Sequence, residues 1–141
     1  MYTPDMKNCM QCNQKLKVVG RTYCSNKCQS NYRYILFIEK WKRGEKEGGK
    51  GINAKNISGH VRRFLREKYG VRCSLCGWKE KNPITNDVPL EVDHIDGNAD
   101  NNQEANLRLI CPNCHSLTIS FRNLNKGRGR AWRRLKYLKE D

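Results

Sequence analysis

Residues 92–115, VDHIDGNADNNQEANLRLICPNCH, collect side chains that bind metal ions and exchange protons. Asp93 and His94 end an apolar alternation, Asn106 closes a polar loop, and His115 directly follows a CxxC pair. Imidazoles bind metals and titrate near neutral pH, and carboxylates are ligands for divalent cations. Structure alone can account for the cysteines here, whereas these four polar residues raise the question of chemistry.

The cysteines form two groups with the spacing of metal ligands. The first group combines a C-x2-C pair with a C-x3-C pair, and the second combines two C-x2-C pairs separated by residues 77–110. A CxxC turn supplies two thiolates to a tetrahedral zinc ion, and a second pair completes the site. The spacing predicts two structural zinc sites, Cys9, Cys12, Cys24 and Cys28, and Cys73, Cys76, Cys111 and Cys114.

Two alternatives to these zinc sites stay open. Paired cysteines can form disulfides, although a reducing cytosol favours metal binding. A second site with three cysteines and His115 in place of Cys114 is also compatible with the spacing. If Cys114 binds the zinc, a helix after Cys111 turns His115 elsewhere and leaves it available for a second metal.

The composition predicts a small, basic protein that needs stabilising ions. Only 37% of the 141 residues are hydrophobic, and the mean hydropathy is -0.90, which leaves little material for a core. The 28 Lys and Arg against 14 Asp and Glu give a formal charge of +14, and two zinc-thiolate sites leave the chain basic. A polyanion such as nucleic acid is the expected partner, and a merely solvated basic surface is the alternative.

A cytoplasmic location is expected, in the host cytoplasm if the protein is phage-encoded. The first residues, MYTPDMKNCM, contain no apolar signal region. The longest apolar run, YILFI at 34–38, is far too short to span a bilayer, so no membrane is expected as a partner.

The N-terminal half predicts a zinc module, a helix and a linker. KLKVVGRTY favours a small strand-turn-strand around Gly20. From Cys28 to Trp41, apolar residues recur at helical spacing: Tyr34, Ile35, Ile38 and Trp41. Residues 42–53 are rich in Gly and charge and have no apolar period. The predicted domains are a zinc module with its helix (1–41), a linker (42–56), a second domain (57–126) and a basic tail (127–141).

A second helix is predicted over 57–70, with Ser58 as N-cap and Gly70 as the residue that ends it. Its apolar residues face inward: Ile57, Val61, Phe64, Leu65 and Tyr69. The outer face carries arginines that can meet phosphates, or that are simply solvated. The predicted DNA contacts are Arg62, Arg63 and Arg66 on this helix and Lys126, Arg128, Arg130, Arg133 and Arg134 in the tail.

The second cysteine group frames a strand, loop, strand and helix. VPLEVDHI and LRLIC alternate as strands do, and DGNADNNQEAN between them is too long for a tight hairpin. PNCHSLTISFRNL is predicted to continue as a helix, with Pro112 in its first turn. The two CxxC pairs would clamp this unit at its base.

These residues resemble the HNH nucleases, whose fold is the ββα-metal fold. The segment DHIDGN…NNQEANLRLICPNCHSLT is similar to the zinc-bearing branch found in phage and bacterial proteins, over about residues 71–126. The first cysteine group resembles the small zinc-ribbon-like module that precedes this domain in some phage members. The resemblance therefore implies an α+β fold of small zinc-stapled modules.

The resemblance also implies an activity, the hydrolysis of phosphodiester bonds in duplex DNA to 5′-phosphate and 3′-hydroxyl ends. By this resemblance His94 is the general base, and Asp93 and His115 hold one divalent ion, Mg²⁺ or another. Asn106 would fix the loop and the orientation of His94. Ile119 stands where some members carry a further histidine, which favours an oxygen-rich site. The protein is expected to be a monomer or weak dimer.

One geometric requirement accompanies this assignment. Adjacent strand residues face opposite sides, so Asp93 and His94 serve one site only if the strand ends or bulges there. The rival hypothesis is a non-catalytic, zinc-stapled DNA-binding adaptor or regulator. Both hypotheses predict zinc and DNA binding, and only the nuclease requires the Asp and His side chains for something other than folding.

Overall fold

The computed structural model describes residues 7–50 and 56–125. The helices and strands are α1 (Asn26–Lys42), β1 (Gly49–Lys50), β2 (Asn56–Ile57), α2 (Gly59–Tyr69), β3 (Glu91–His94), β4 (Leu107–Ile110) and α3 (Pro112–Ser116). Two 3₁₀ turns cover Glu104–Asn106 and Arg122–Asn125. Across these ranges no helix combines the length and apolar character needed to cross a membrane.

The first helix follows the prediction with one exception. Ser25 caps α1 by accepting a hydrogen bond from the Cys28 N–H at 3.2 Å. Tyr34, Ile38 and Trp41 are buried along one face. The inward position predicted for Ile35 is wrong, because this side chain is 41% exposed. It directly follows Tyr34, and one helical residue turns it about 100° away from the buried face.

The second helix begins and ends at the predicted residues. The Ser58 hydroxyl accepts from the Val61 N–H at 3.1 Å, and Gly70 adopts the left-handed conformation, with φ 74°, that ends the helix. Val61 and Leu65 are fully buried. They join α1, Ile57 and Leu107 of β4 in one apolar core. The N-terminal helix therefore shares its core with the β3–β4 unit.

The residues before and after α1 differ from the predicted zinc module with two strands and from the predicted linker. The strand-turn-strand predicted around Gly20 is wrong: in this part of the described chain the only pairing is an isolated bridge, Asn8 to Lys15. Val18 and Val19 are 52% and 58% exposed, so no second layer supports strands there. β1, inside the segment predicted as a linker, pairs antiparallel with β2. The domain boundaries stay a prediction.

The β3–β4 unit has the predicted order of strand, loop, strand and helix. The strands pair antiparallel in a regular register that sets Asp93 opposite Arg108 and His94 opposite Leu107. The long helix predicted after Cys111 is wrong, because α3 ends at Ser116. The apolar side chains that follow, Leu117 and Ile119, are 84% and 81% exposed and have no core to stabilise a longer helix.

Candidate functional site

Both cysteine groups have the dimensions of a zinc site. Within each group the four Sγ atoms all lie within 4.8 Å of one another. The measured Sγ–Sγ distances are 3.6 Å (Cys12 to Cys24) and 3.4 Å (Cys24 to Cys28) in the first group, and 3.7 Å (Cys76 to Cys111) in the second. Four sulfurs at about 2.3 Å from a tetrahedral Zn²⁺ stand about 3.8 Å apart. All eight cysteines are free, so the disulfide alternative is wrong.

The thiols of each group differ in acidity because they form different hydrogen bonds with the backbone and with one another. Burial raises the pKa of Cys9, but surrounding backbone N–H groups outweigh burial and bring this pKa to about 6. Hydrogen bonds with Cys28 and other thiols raise the pKa of Cys24 to about 12. The second group shows the same difference: the pKa is about 6 for the Cys73 thiol and about 12 for the Cys114 thiol. Four thiolates this close together would repel one another, and a divalent ion bound among them would neutralise their charge.

The second cysteine group fixes the start of α3. The Cys111 sulfur caps this helix by accepting from the Cys114 N–H at 3.4 Å, with Pro112 in the first turn as predicted. All four cysteines of this group meet, and His115 is not among them. The alternative in which His115 replaces Cys114 is therefore wrong. His115 is the next residue of the helix and points toward β3 instead.

Asp93 is held in place by an arginine across the sheet. It is 4% exposed, and its Oδ2 accepts a hydrogen bond from Arg108 Nε at 2.7 Å. The two residues are direct partners in the β3–β4 register. A buried carboxylate needs such a partner, and a charge-assisted hydrogen bond of this length orients it strongly. The remaining oxygen, Oδ1, faces His115.

His115 lies between two carboxylates on the same face of β3. Its Nδ1 is 2.6 Å from Glu91 Oε2, and its Nε2 is 3.9 Å from Asp93 Oδ1. Glu91 and Asp93 are two residues apart on a strand and so face the same side. A carboxylate on one ring nitrogen fixes the tautomer and leaves the other nitrogen as a metal ligand. Glu91 therefore directs His115 Nε2 toward Asp93.

The pair of Asp93 and His115 fits a divalent ion. Such ions bond carboxylate oxygen and imidazole nitrogen at about 2.1 Å, so two donors 3.9 Å apart can contact one ion. Arg108 already occupies the other carboxylate oxygen, which limits Asp93 to a single bond to the ion. An open cavity of about 460 Å³ adjoins His115 and is lined by Glu91, Pro112, Asn113, His115, Ser116, Phe121 and Arg122.

His94 is the last residue of β3 and pairs with Leu107 in a register without a bulge, so a site shared by Asp93 and His94 stays a prediction. Its imidazole Nε2 lies 2.8 Å from Asn102 Oδ1. Because an amide oxygen only accepts, Nε2 carries the proton in this contact and Nδ1 keeps a lone pair. The contact therefore leaves His94 with one nitrogen able to take a proton.

Asn106 holds the loop between the strands. Its amide nitrogen donates to Asp96 Oδ1 and to the Asn101 carbonyl, both at 2.8 Å, and its Oδ1 accepts from the Asp96 N–H at 3.0 Å. Burial raises the pKa of Asp96, but hydrogen bonds, led by that from Asn101, outweigh it and keep this pKa below its usual range. The side chain that contacts His94 is Asn102, and Asn106 fixes the loop on which Asn102 lies.

The predicted DNA contacts divide between the helix and the tail. On α2, Arg63 bonds Glu67 at 2.8 Å and Asn31 at 2.9 Å, and Arg66 pairs with Asp87. Arg62 is exposed. The tail residues lie outside the described residues: Lys126, Arg128, Arg130, Arg133 and Arg134. All eight remain predicted DNA contacts, and two of the α2 arginines already bind other residues of the protein.

Sequence reasoning missed three residues that hold the site: Glu91, Arg108 and Asn102. A signal existed for Glu91, since it lies two residues before Asp93 on a predicted strand and so shares its face. Arg108 needed the strand register, which the sequence does not specify. Asn102 is one of four asparagines in the loop, and no local feature separates it from the others.

Comparisons with known proteins agree with this geometry. Residues 73–118 match the family described as HNH endonuclease. The H-N-H endonuclease F-TflIV of Escherichia phage T5 is 45% identical over 60 residues, which cover 40% of this chain and 24% of that protein. The chain thus aligns with about a quarter of its relative's length. No solved structure matches it. Residues 73–118 are therefore similar to the HNH endonuclease domain, and this similarity covers about a third of the chain.

Proposed function

We propose that this protein is a metal-dependent endonuclease that hydrolyses phosphodiester bonds in duplex DNA. One observation carries the proposal: Asp93 Oδ1 and His115 Nε2 lie 3.9 Å apart at the end of the strand on which His94 is the next residue. This arrangement combines a metal-binding pair with a proton acceptor. The formal charge of +14 suits a polyanionic substrate.

In the proposed reaction His94 activates water. Its Nδ1 lone pair takes a proton from a water molecule, whose oxygen attacks the phosphorus. The bond from phosphorus to the 3′ oxygen breaks, and that oxygen gains a proton from solvent. The products are a 5′-phosphate and a 3′-hydroxyl end.

The other residues hold the reacting groups. Asp93 and His115 would bind the ion, Mg²⁺ or another divalent metal, while Arg108 and Glu91 hold these two ligands in position. When bound, the ion supplies positive charge that stabilises the charge developing on the phosphate. Asn106 fixes the loop beside the strand end. The open cavity beside His115 would give the DNA backbone access to this end of the metal-binding pair.

The remaining parts have supporting roles in this proposal. The two cysteine groups bind structural zinc, and the basic surface holds DNA by phosphate contacts. One site in a monomer or weak dimer cuts one strand at each visit. Since free cysteines persist in a reducing compartment, the cytoplasm, or a host cytoplasm, is the proposed location.

A plasmid assay tests the proposal. Wild-type protein should convert supercoiled plasmid to open-circle or linear DNA with Mg²⁺ or Mn²⁺ and not with EDTA. His94→Ala should lower this rate by about 10²–10⁴-fold, because a general base contributes that much. His60→Ala is the matched control, since His60 packs on Phe37 of α1 with ring centroids 5.0 Å apart. Control and His94→Ala should keep zinc content and DNA affinity.

One result would contradict the role of His94, and another would contradict the nuclease itself. Cleavage that persists in His94→Ala would remove His94 from the reaction. DNA binding without cleavage by the wild-type protein, with every metal tried, would support the adaptor hypothesis instead.

A further inference from the structure

We propose that Asn102 is a positioning residue for His94, and that the N-terminal region holds Asn102 in place through Trp41 and Gly48. This inference rests on the proposed role of His94 as the base. It makes α1 a structural part of the active site. The segment that matches the HNH family, residues 73–118, contains His94 and Asn102 but neither Trp41 nor Gly48.

The first step is the contact between Asn102 and His94. The 2.8 Å distance from Oδ1 to Nε2 is a short, well-formed hydrogen bond. It determines which ring nitrogen carries the proton, and a histidine that acts as a base depends on that choice. Both side chains are partly buried, so water competes only weakly for the bond. Asn102 thereby keeps Nδ1 available to accept a proton.

The second step is the support for Asn102 itself. The indole Nε1 of Trp41 donates to the Asn102 backbone carbonyl at 2.7 Å, across 61 positions of sequence. Trp41 is 5% exposed and belongs to the core that α1 shares with α2 and β4. Its ring also packs edge-on against Phe64, with centroids 5.6 Å apart. A donor on so well packed a ring fixes the position of the loop backbone at Asn102.

The third step is the close approach of Gly48. A Cβ at this position would lie 2.8 Å from Trp41 Nε1 and 3.1 Å from the Asn102 carbonyl oxygen. Only glycine therefore leaves room for the contact between Trp41 and Asn102. Gly48 is itself held, because its carbonyl accepts from the Ser58 N–H, at the N-cap of α2, at 2.9 Å. The chain at Gly48, just before β1, thus packs directly against Trp41 and Asn102.

The chain of contacts runs from the first zinc cluster to the base. Cys28 is the third residue of α1, and Trp41 is its last residue but one. α1 is a single helix, so a change at the cysteine end can be passed to the tryptophan end. Loss of the N-terminal region should therefore change the reaction at His94 without removing any residue of the HNH segment.

The first test measures the tautomer of His94 directly. In the zinc-loaded protein without added Mg²⁺, ¹⁵N NMR of the neutral ring should show a protonated Nε2 and an unprotonated Nδ1. Asn102→Asp keeps an acceptor and should keep this tautomer, whereas Asn102→Ala should give a mixture of the two. An Nδ1-protonated ring in the wild-type protein, or a spectrum unchanged in Asn102→Ala, would overturn the inference.

The second test separates the chemical step from DNA binding. At saturating DNA, Asn102→Ala should cleave about 10- to 100-fold more slowly, with an unchanged dissociation constant for DNA. Asn102→Asp should recover part of the rate, because it restores the acceptor. A loss of DNA affinity with an unchanged rate at saturation would assign Asn102 to DNA contact and contradict the inference.

The third test changes the residues of the N-terminal region that support Asn102. Trp41→Phe keeps an aromatic ring but removes the donor and part of the buried ring volume, and Gly48→Ala forces the ring and the carbonyl apart without shortening either side chain. Both should slow cleavage and alter the His94 spectrum. Gly49→Ala is the matched control, since its Cβ would lie in ordinary contact, 3.7 Å from the Asn56 carbonyl. Equal behaviour of Gly48→Ala and Gly49→Ala would contradict the role of the close approach.

The two proposals can fail separately. If wild-type protein cuts DNA, His94→Ala does not, and Asn102→Ala matches wild type in rate and spectrum, the nuclease stands and the inference is wrong. If wild-type protein never cuts DNA, the proposed function is wrong, while the NMR measurement still decides whether Asn102 fixes the His94 ring.

Discussion

The two cysteine clusters have the same ligands and differ in what depends on them. The first forms within residues 9–28 and includes the first turn of α1, and the hydrogen bonds from α1 to α2 begin at Asn31 and Tyr34. The second joins two distant chain segments, with Cys73 and Cys111 both 2% exposed, and directly precedes His115. The same metal chemistry should therefore support a local module in one case and the proposed catalytic residues in the other.

The difference follows from where each cluster meets a core. Cys73 and Cys111 pack with Ile110 in a small apolar cluster at the base of the β3–β4 unit. The Ser74 N–H, inside the Cys73 turn, donates to the Leu109 carbonyl of β4 at 2.8 Å. An ion at the second cluster thus joins the turn, the strand and α3. In the first cluster only Cys9 is fully buried.

The largest effect is expected from breaking the second cluster. Cys111→Ser removes a zinc ligand while its hydroxyl can still cap α3, and a structural zinc contributes about 10 kcal/mol or more to folding. The variant should lose one zinc ion, the cooperative unfolding of the domain and all cleavage. Zinc content and thermal unfolding measured side by side provide the check. A stable, active Cys111→Ser protein would mean that the second cluster is not a structural site.

Breaking the first cluster should have a smaller and different effect. Cys24→Ser should also lose one zinc ion, but the core of α1, α2 and β4 should still unfold cooperatively. Because α1 joins the first cluster to Trp41, we expect the rate of cleavage to fall by about 5- to 10-fold, the size of a typical coupling between sites. Zinc content, thermal unfolding and plasmid cleavage measure these three quantities. Equal damage from Cys24→Ser and Cys111→Ser would remove the distinction between the clusters.

A change beside the second cluster should weaken the binding of the divalent ion and leave both zinc ions bound. Glu91→Gln replaces the carboxylate on His115 Nδ1 with a neutral amide of the same shape. Loss of such a partner typically lowers metal affinity by about 10- to 100-fold. The Mg²⁺ or Mn²⁺ concentration needed for half-maximal cleavage should rise accordingly, with two zinc ions retained. Glu47→Gln, at an exposed glutamate outside this cluster, is the control.

The smallest effect concerns the contact that joins α1 to α2. Burial and a hydrogen bond to Glu67 raise the pKa of Tyr34 to about 12. Hydrogen bonds, first from Tyr34 and then from Arg63, hold the pKa of Glu67 below its usual range. Tyr34→Phe should lower the free energy of unfolding by about 1 kcal/mol at neutral pH, since Glu67 stays half exposed.

The pH dependence of this small effect has a definite sign. A raised tyrosine pKa stabilises the fold below pH 10, and this stabilisation is lost as the pH rises from 10 to about 12. A lowered glutamate pKa stabilises the fold above pH 4.5, and this stabilisation is lost as the pH falls below it. The difference in the free energy of unfolding between wild type and Tyr34→Phe should therefore become smaller at both high and low pH. A difference that is constant with pH would contradict the contact.

Much of the fold could be predicted because its signals are local. The caps of α2, Ser58 and Gly70, act within one turn of the helix, and CxxC spacing is a property of a single turn. The predictions that proved wrong concern segments whose secondary structure depends on burial against other parts of the molecule. Whether the valines near Gly20 form strands, or whether the chain after Ser116 stays helical, depends on a neighbouring layer that a local pattern does not reveal.

The sequence by itself determined the donor groups: eight thiols in two groups, and Asp93, His94, Asn106 and His115 in order along one segment. Spacing is enough for these, because a turn or a strand holds neighbouring residues at set distances. Only the tertiary structure decided that Arg108 holds Asp93, that Glu91 directs His115, and that Trp41 supports the loop at Asn102. Those contacts join residues far apart in the chain, and packing of the whole molecule sets their distances.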